Sequence, residues 1–339
     1  MYKVAVVILN WNGLNLLKAY LPALVAHSTD PTVELVVADN ASTDASIAYI
    51  KTHYPQIRVI ELARNYGFAE GYNQALKQVD ATYYVLLNSD VEVTPHWLDA
   101  PLKALDSDPM LAAVQPKILA ARSRTHFEYA GACGGFMDRF GYPFCRGRML
   151  DTVEEDRGQY DTPLEIFWAT GACLLIRQSL YHAVGGLDAQ FFAHQEEIDL
   201  CWRLKSRGYK IICTPQSVVY HVGGATLSVE SPQKTYLNFR NNLLMLYKNL
   251  PTEELSFVFG LRFVLDYVAA TKFLCCGHLQ NAYAVYRARR DFKRMKVAYK
   301  QVREANLLHT VEPSPEGLYR GSLLKMYYLK GIKTFDLLR

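Results

Sequence analysis

Carboxylates and amides recur at the ends of apolar runs in this chain, where they could grip a cation, a nucleotide or a proton. The run Tyr83-Tyr84-Val85-Leu86-Leu87 ends in Asn88-Ser89-Asp90. Alternate residues of an extended segment point the same way, so Asn88 and Asp90 can offer two oxygens to one divalent ion. Such an ion would neutralise the charge that develops on a departing nucleotide diphosphate. Another short apolar run ends in His221-Val222-Gly223-Gly224, whose imidazole could complete the coordination of the ion held by Asp90. Imidazole with carboxylate tilts the preference toward manganese over magnesium. A turn after a strand and a structural histidine are the plainer explanations of the same residues.

A proton acceptor is suggested by Phe191-Phe192-Ala193-His194-Gln195-Glu196-Glu197-Ile198-Asp199-Leu200-Cys201-Trp202-Arg203. At helical spacing Glu197, Cys201 and Leu204 share a face that is otherwise apolar, whereas Glu196, Asp199 and Arg203 share a polar one, with Asp199 and Arg203 paired one turn apart. A carboxylate pointing inward near a helix start is expensive unless it has a partner or a task. Glu197 is therefore the candidate general base, and Glu196 an acid that favours the helix dipole. His194 is a competing base. After an earlier β-branched run, Asp39-Asn40-Ala41-Ser42-Thr43-Asp44 places Asp39 where a carboxylate can accept hydrogen bonds from a base or ribose; Thr43 or Asp44 would cap the next helix. In Arg64-Asn65-Tyr66-Gly67-Phe68-Ala69-Glu70-Gly71-Tyr72-Asn73, a basic residue and an amide precede a glycine at a helix start, a position that attracts phosphate. The glycines could instead permit tight packing, and Asn73 could be a buried bonding residue.

These residues need a scaffold that brings run ends together. Residues 4–9, 33–38, 57–62 and 83–87 read as buried parallel strands, and 14–27, 45–53 and 69–79 as the helices between them. That alternation predicts a doubly wound α/β sheet, whose ligands collect at the carboxyl ends of the strands. From 122 to 161 the pattern dissolves into Gly, aromatic and Arg residues, which predicts a long irregular excursion over the active site. A strand-like stretch at 165–177, a helix at 196–207 stopped by Gly208, and two short strands at 210–213 and 217–220 follow. Beyond Ser231 the chain reads as mostly helical.

The chain has 339 residues, 50% of them hydrophobic and 21% charged, an ordinary globular composition. Its net charge of +4 is uneven, because the basic excess lies beyond Pro251. The seven cysteines are odd in number and lack Cys-x-x-Cys spacing, which argues against a disulfide framework or zinc ribbon and for a reducing cytoplasm. The apolar start runs straight into Asn10-Trp11-Asn12-Gly13, as a strand entering a loop does. In 255–276, Arg262, Asp266 and Lys272 argue against a membrane-spanning helix.

Taken in order, the motifs resemble those of the family 2 glycosyltransferases, inverting enzymes of the GT-A fold, especially the branch that includes bacterial rhamnosyltransferases. The resemblance covers roughly residues 2–246. It rests on Val7-Ile8-Leu9-Asn10-Trp11-Asn12-Gly13, the Asp39–Asp44 run, Arg64-Asn65-Tyr66-Gly67-Phe68-Ala69, Leu86-Leu87-Asn88-Ser89-Asp90, Gly171-Ala172 and the Glu196–Arg203 helix. It implies a mostly parallel twisted sheet with helices on both faces. The catalytic domain would span 1–246, divided into a nucleotide-binding half (1–120) and an acceptor half (121–246), with a helical extension at 247–339.

By resemblance, Leu9, Asn10, Asn12, Asp39, Arg64, Asn65, Gly67, Asn73, Asn88, Ser89 and Asp90 would line the nucleotide-sugar site. Asp90 and His221 would hold Mn2+ or Mg2+, Trp168, Thr170, Gly171 and Glu196 would border the acceptor, and Glu197 would be the base. Asn88 stands where the family usually has Asp, and Glu196-Glu197 where it usually has Glu-Asp; the longer base would move its carboxylate by about 1 Å. The implied partners are a nucleotide diphosphate sugar, dTDP- or UDP-linked, and a glycan or lipid-linked acceptor in cell-surface polysaccharide assembly. The aromatic and basic residues of 256–273 and 282–299 point to an anionic membrane surface and a cytoplasmic protein peripheral on the inner face of the cell membrane, or else to a solvated face packed on the catalytic domain. No nucleic-acid motif accompanies the charge. Two rivals stay open: a catalytically silent nucleotide-sugar-binding partner of another transferase, and a nucleotidyltransferase, which would need a Gly-rich basic loop after the first strand.

Overall fold

The computed structural model describes residues 2–223 and 231–338. Gly224 of the His221 motif therefore lies outside the described residues. The first half alternates as expected: β1 (Tyr2–Asn10), α1 (Leu14–His27), β2 (Val33–Asp39), α2 (Ser46–His53), β3 (Arg58–Glu61), α3 (Gly67–Leu76) and β4 (Ala81–Leu87). Short β5 (Val91–Val93) follows, then α4 (Asp99–Ser107) and the long β6 (Leu111–Ala120). Neither α4 nor β6 follows from the periodicities above, because β6 is buried on both faces along nearly its whole length and shows no alternation.

The strands β3, β2, β1 and β4 are mutually parallel. Their side chains alternate between two cores. Val4, Val6 and Ile8 of β1 pack with Leu17, Leu21 and Leu24 of α1, while Ala5 and Val7 pack with Tyr72 and Ala75 of α3. A period-two apolar run with helices on both sides must be apolar throughout, and that is why β1 reads as a continuous hydrophobic stretch.

The second half departs from the expectation. The excursion at 122–161 contains β7 (Ser123–Phe127), β8 (Gly135–Asp138), β9 (Pro143–Cys145), β10 (Arg148–Met149) and β11 (Thr152–Val153). Of these, β8 to β11 form a small antiparallel sheet of their own. These strands are two to four residues long, and Gly134, Gly141 and Gly147 at positive φ turn the chain between them, too short a repeat for periodicity to register. The expected strand at 165–177 is split into β12 (Leu164–Glu165) and β13 (Cys173–Arg177), separated by turns. After α5 (Gln178–Ala183) and α6 (Glu196–Ser206), the two short strands expected at 210–220 are one strand, β14 (Lys210–His221), whose register shifts between Thr214 and Val218.

The main sheet runs β12-β14-β6-β13-β4-β1-β2-β3. Its β13 is antiparallel to both β4 and β6 and welds the parallel first half to a second parallel pair, β6 with β14. The sheet is therefore mixed, with its parallel character concentrated in the first half. Four helices follow: α7 (Pro232–Asn249), α8 (Thr252–Cys275), α9 (Leu279–Met295) and α10 (Tyr299–Leu308). Short β15 (Leu318–Tyr319) then pairs in parallel with β8, and Phe335 packs against Phe136, Phe144 and Tyr160. No helix among the described residues is long and apolar enough to cross a membrane.

Candidate active site

At the end of β4, the backbone amide of Asn88 donates to the Ala172 carbonyl (3.0 Å), and the Asp90 carbonyl accepts from Val222 (3.2 Å). These bonds bring the ends of β4, β13 and β14 to one place. Asp90 and His221 are both buried, and His221 Nε2 lies 3.1 Å from Asp90 Oδ1. On the far side of the ring, Nδ1 is 3.5 Å from the carboxylate of Glu128, itself buried. Burial opposes the charge of this imidazole, but the hydrogen bonds and charges of Asp90 and Glu128 prevail and raise it to about 10.

Among the described residues, no group of three or more His, Cys, Asp and Glu side chains could hold a metal by itself. Asp90 and His221 nevertheless suit a shared divalent ion. The proton on Nε2 stands where a cation would bind, and Glu128 can retain the one on Nδ1, which is how a carboxylate fixes a ligating histidine. Two protein donors would leave the rest of the shell to phosphate oxygens and water.

The turn after β1 and the turn after β2 lock together. Asn10 donates to Asp39 Oδ1 (2.9 Å) and to Ser42 Oγ (3.1 Å), while its own Oδ1 is buried without a partner. Asp39 Oδ2 accepts from the Ser42 amide (2.8 Å). Asn12, at φ 50°, accepts from the Thr43 amide (2.7 Å). Asp44 accepts from the amides of Leu14 and Ser46 (3.0 Å each), so it serves the starts of α1 and α2 together. Leu9 and Ser89 flank this turn pair: a side chain at Gly71 would strike Leu9, and one at Gly13 would come within 3.9 Å of Ser89 Oγ.

Around α3 the structure corrects two expectations. The helix start is not open to phosphate: the amides of Phe68 and Ala69 donate to the Phe192 carbonyl (2.8 and 3.2 Å), and that of Gly67 to Asn65 Oδ1 (2.8 Å). Gly67 is required for another reason, since it sits at φ 76° with the Phe192 ring where a Cβ would project. Asn73 is a structural residue. Its amide joins Tyr181, Glu70 and both backbone groups of Leu187, leaving no hydrogen-bonding capacity for a ligand. Arg64 remains exposed, its guanidinium 4.8 Å from the centre of the Tyr66 ring.

The start of α6 holds the chemical asymmetry of the molecule. Phe192, His194 and Gln195 all have positive φ (65°, 71° and 72°), an unfavourable run for residues with side chains. Asn241 of α7 secures it by donating to the carbonyls of Phe191, Ala193 and His194 at 2.8 to 2.9 Å. The sharp turn delivers Glu196 and Glu197 inward. Oε2 of each is sealed from solvent and has no hydrogen-bond partner among the described residues. Burial, together with the charge of Glu197, pushes the Glu196 carboxyl well above the usual carboxylate range. Burial raises Glu197 to about 7, against the opposing pull of the α6 backbone amides. The rival base His194 is held down to about 4 by burial and the charge of Lys234, so it is a weak base at neutral pH.

Of the expected acceptor residues, Gly171 lies against Glu197, with its Cβ position 4.0 Å from the Glu197 Cβ and 3.2 Å from the Phe68 ring. Trp168 is a core residue: it is buried, donates to the Phe136 carbonyl (2.8 Å) and packs on Gly135. Thr170 is buried as well, and its amide donates to Gln115 Oε1 (2.9 Å). Three residues of the site carried no sequence signal: Glu128 behind His221, Asn241 beneath the turn, and Lys234 at the start of α7. The Lys234 ammonium is disfavoured by burial, partly offset by Glu128. Each lies far along the chain from its partners, and no local spacing could reveal it.

The chain matches the family model Glycosyl transferase family 2 over residues 5–185, more than half its length. It is 27% identical over 270 residues, 75% of this chain, to an uncharacterised Sinorhizobium fredii protein, y4gI, of which it spans 28%. To the N-acetylglucosaminyl-diphospho-decaprenol L-rhamnosyltransferase of Mycobacterium tuberculosis it is 26% identical over 213 residues, covering 59% of this chain and 69% of that protein. A crystal structure of GalNAc-T7 with UDP, GalNAc and Mn2+ shares its fold at a TM-score of 0.59 and 14% identity, over 89% of this chain and 57% of the other.

Proposed function

The chain belongs to glycosyl transferase family 2 and has the GT-A fold, and from that premise we propose that it transfers a sugar, with inversion, from a uridine or thymidine diphosphate sugar to a hydroxyl of a glycan or lipid-linked acceptor. A rhamnose-like sugar accords with the mycobacterial relative. The observation that carries this reading is the pair of carboxylates at the start of α6 whose inner oxygens are sealed and without a hydrogen-bond partner among the described residues, beside Gly171 and one step from the strand end that holds Asp90. Uncompensated burial of a carboxyl costs stability, and it is retained where a proton must move.

Glu197, ionising at about 7, takes the proton from the acceptor hydroxyl. The acceptor oxygen bonds to the anomeric carbon on the face opposite the diphosphate, and the bond from that carbon to the diphosphate breaks with its electrons. Glu196 beside it is raised above the usual carboxylate range by burial and by the charge of Glu197, which opposes two charges in the pair. A divalent ion, when bound by Asp90 and His221, supplies positive charge to the leaving diphosphate. Glu128 keeps the His221 ring oriented for that role.

The test is a screen of nucleotide diphosphate sugars, with manganese or magnesium, by thermal shift followed by NMR of the product. A metal-dependent rise in Tm with a uridine or thymidine diphosphate sugar is expected, together with an inverted anomeric centre. A retained centre would sink the mechanism, and the lack of any metal-dependent shift would sink the site. Metal-dependent turnover also excludes the silent-partner reading. Glu128→Gln should weaken manganese binding by about 10- to 100-fold, read from the free-ion signal in electron paramagnetic resonance; unchanged affinity would remove Glu128 from the site.

A further inference from the structure

Helix α8 is inside out. It buries Arg262 and Asp266, which bond to one another (3.2 Å), and Arg289 of α9 closes the cluster on Asp266. Its outer face carries Phe257, Phe263, Val264, Tyr267, Val268 and Leu274, from 37% to 60% exposed. At 100° per residue these positions form one continuous stripe down the helix. From Phe257 to Cys275, Lys272 is the sole exposed charged residue. A soluble surface rarely presents so long an apolar face unless something covers it.

The neighbouring helix indicates what that is. Arg289, buried, lies over the rings of Phe263 (5.0 Å) and Tyr267 (5.8 Å), so α9 borders the outer face of α8 along this seam. One turn either side of Arg289, α9 exposes Tyr286 and Lys293. Farther along, Arg294 and Lys296 are exposed as well. The acid on this side of α9, Asp291, is already paired with Arg290 (3.0 Å) and lies 3.8 Å from Arg294. An apolar stripe edged by tyrosine, lysine and arginine matches the boundary between acyl chains and anionic headgroups. A two-fold copy of the chain suits it less well, because the basic rim would then face its own image.

We propose that the outer face of α8 and the adjoining basic edge of α9 dock on an anionic lipid bilayer, with α8 lying along the interface rather than crossing it. The proposal is independent of the reaction assigned to the α6 site. It also gives that site a reason to stand near a lipid phase: Leu279, Tyr283 and Arg287 of α9 share a surface groove with Pro232 and Gln233, at the start of the helix that secures the α6 turn.

Full-length protein is sedimented at low salt with vesicles of phosphatidylcholine, with or without phosphatidylglycerol. Wild type should bind the anionic vesicles at least about ten-fold better than the neutral ones. Val264→Asp with Val268→Asp, and separately Lys293→Glu with Arg294→Glu, should each lose about ten-fold while keeping the wild-type Tm. The Glu197→Gln chain should bind like wild type, which separates this result from any failure of the enzymatic reading. No binding to anionic vesicles overturns the proposal, as does binding that both double variants leave intact. A lipid-free dimer abolished by the Val264/Val268 pair, without vesicle binding, assigns the face to a second copy instead.

Discussion

Three carboxylates occupy the first turn of α6, and their surroundings differ sharply. Asp199 accepts from Arg203 (2.9 Å), Lys248 (2.8 Å) and Asn249 (3.0 Å). Burial alone would raise its pKa, but the Lys248 and Arg203 charges outweigh it and hold Asp199 below the usual range. Glu196 and Glu197, three and two residues earlier, have neither counter-ion nor hydrogen bond on their inner oxygens and shift the opposite way. The Arg262–Asp266–Arg289 cluster repeats the Asp199 pattern in the C-terminal helices. Buried charge matched by partners fixes how elements sit against each other, whereas buried charge left unmatched in a cleft is available to a substrate.

The contrast is broken most severely at Glu197. Glu197→Gln should lower kcat by about 10²- to 10⁴-fold while leaving the manganese-dependent nucleotide shift in place; near-normal turnover would refute the base assignment. The same variant should be more stable than wild type at pH 8, by about 1–3 kcal/mol. The sign follows from a carboxyl whose pKa rises on folding from the ordinary 4.5 to about 7. The folded state holds its proton more tightly, so stability present at low pH is lost as pH climbs through that interval, and glutamine escapes the loss.

Next in size, Asp199→Ala should cost about 3–5 kcal/mol, because Arg203 would lose its carboxylate while buried and Lys248 would keep only Asp188; urea denaturation reads this directly. A cost below about 1 kcal/mol would put Asp199 in the same class as a surface pair and erase the distinction. The gentlest test is the pH profile. Below pH 7, kcat/KM should fall about ten-fold per unit and level off above it, and a profile flat from pH 5 to 8 would leave Glu197 without its role.

Much of this is legible in the sequence. Strand ends at Asn10, Asp39 and Leu87 follow from β-branched runs that halt at amides and acids, and the Asp199–Arg203 pair follows from helical spacing. Three positions show what the sequence alone leaves out, namely the neighbour that packs against a residue. Asn73, set by resemblance in the nucleotide-sugar site, is bonded by Leu187 and Tyr181, Trp168, set by resemblance at the acceptor, packs on Gly135, and the start of α3, read as attracting phosphate, is taken by the Phe192 carbonyl. The small β8–β11 sheet escaped notice because its strands are shorter than the repeat needed to recognise them.

By itself the sequence determined the parallel first half of the sheet, the family and the inward aim of Glu197, but it set Glu196 on a polar outer face, whereas the packing of α6 buries that side chain too. All of these depend on short-range periodicity or on motifs in order. Only the tertiary structure decided which carboxylates find partners, that Glu128 stands behind His221, that Asn241 secures a strained turn, and that α8 turns its apolar face outward. Those facts depend on contacts between residues far apart in the chain, and spacing carries no information about them.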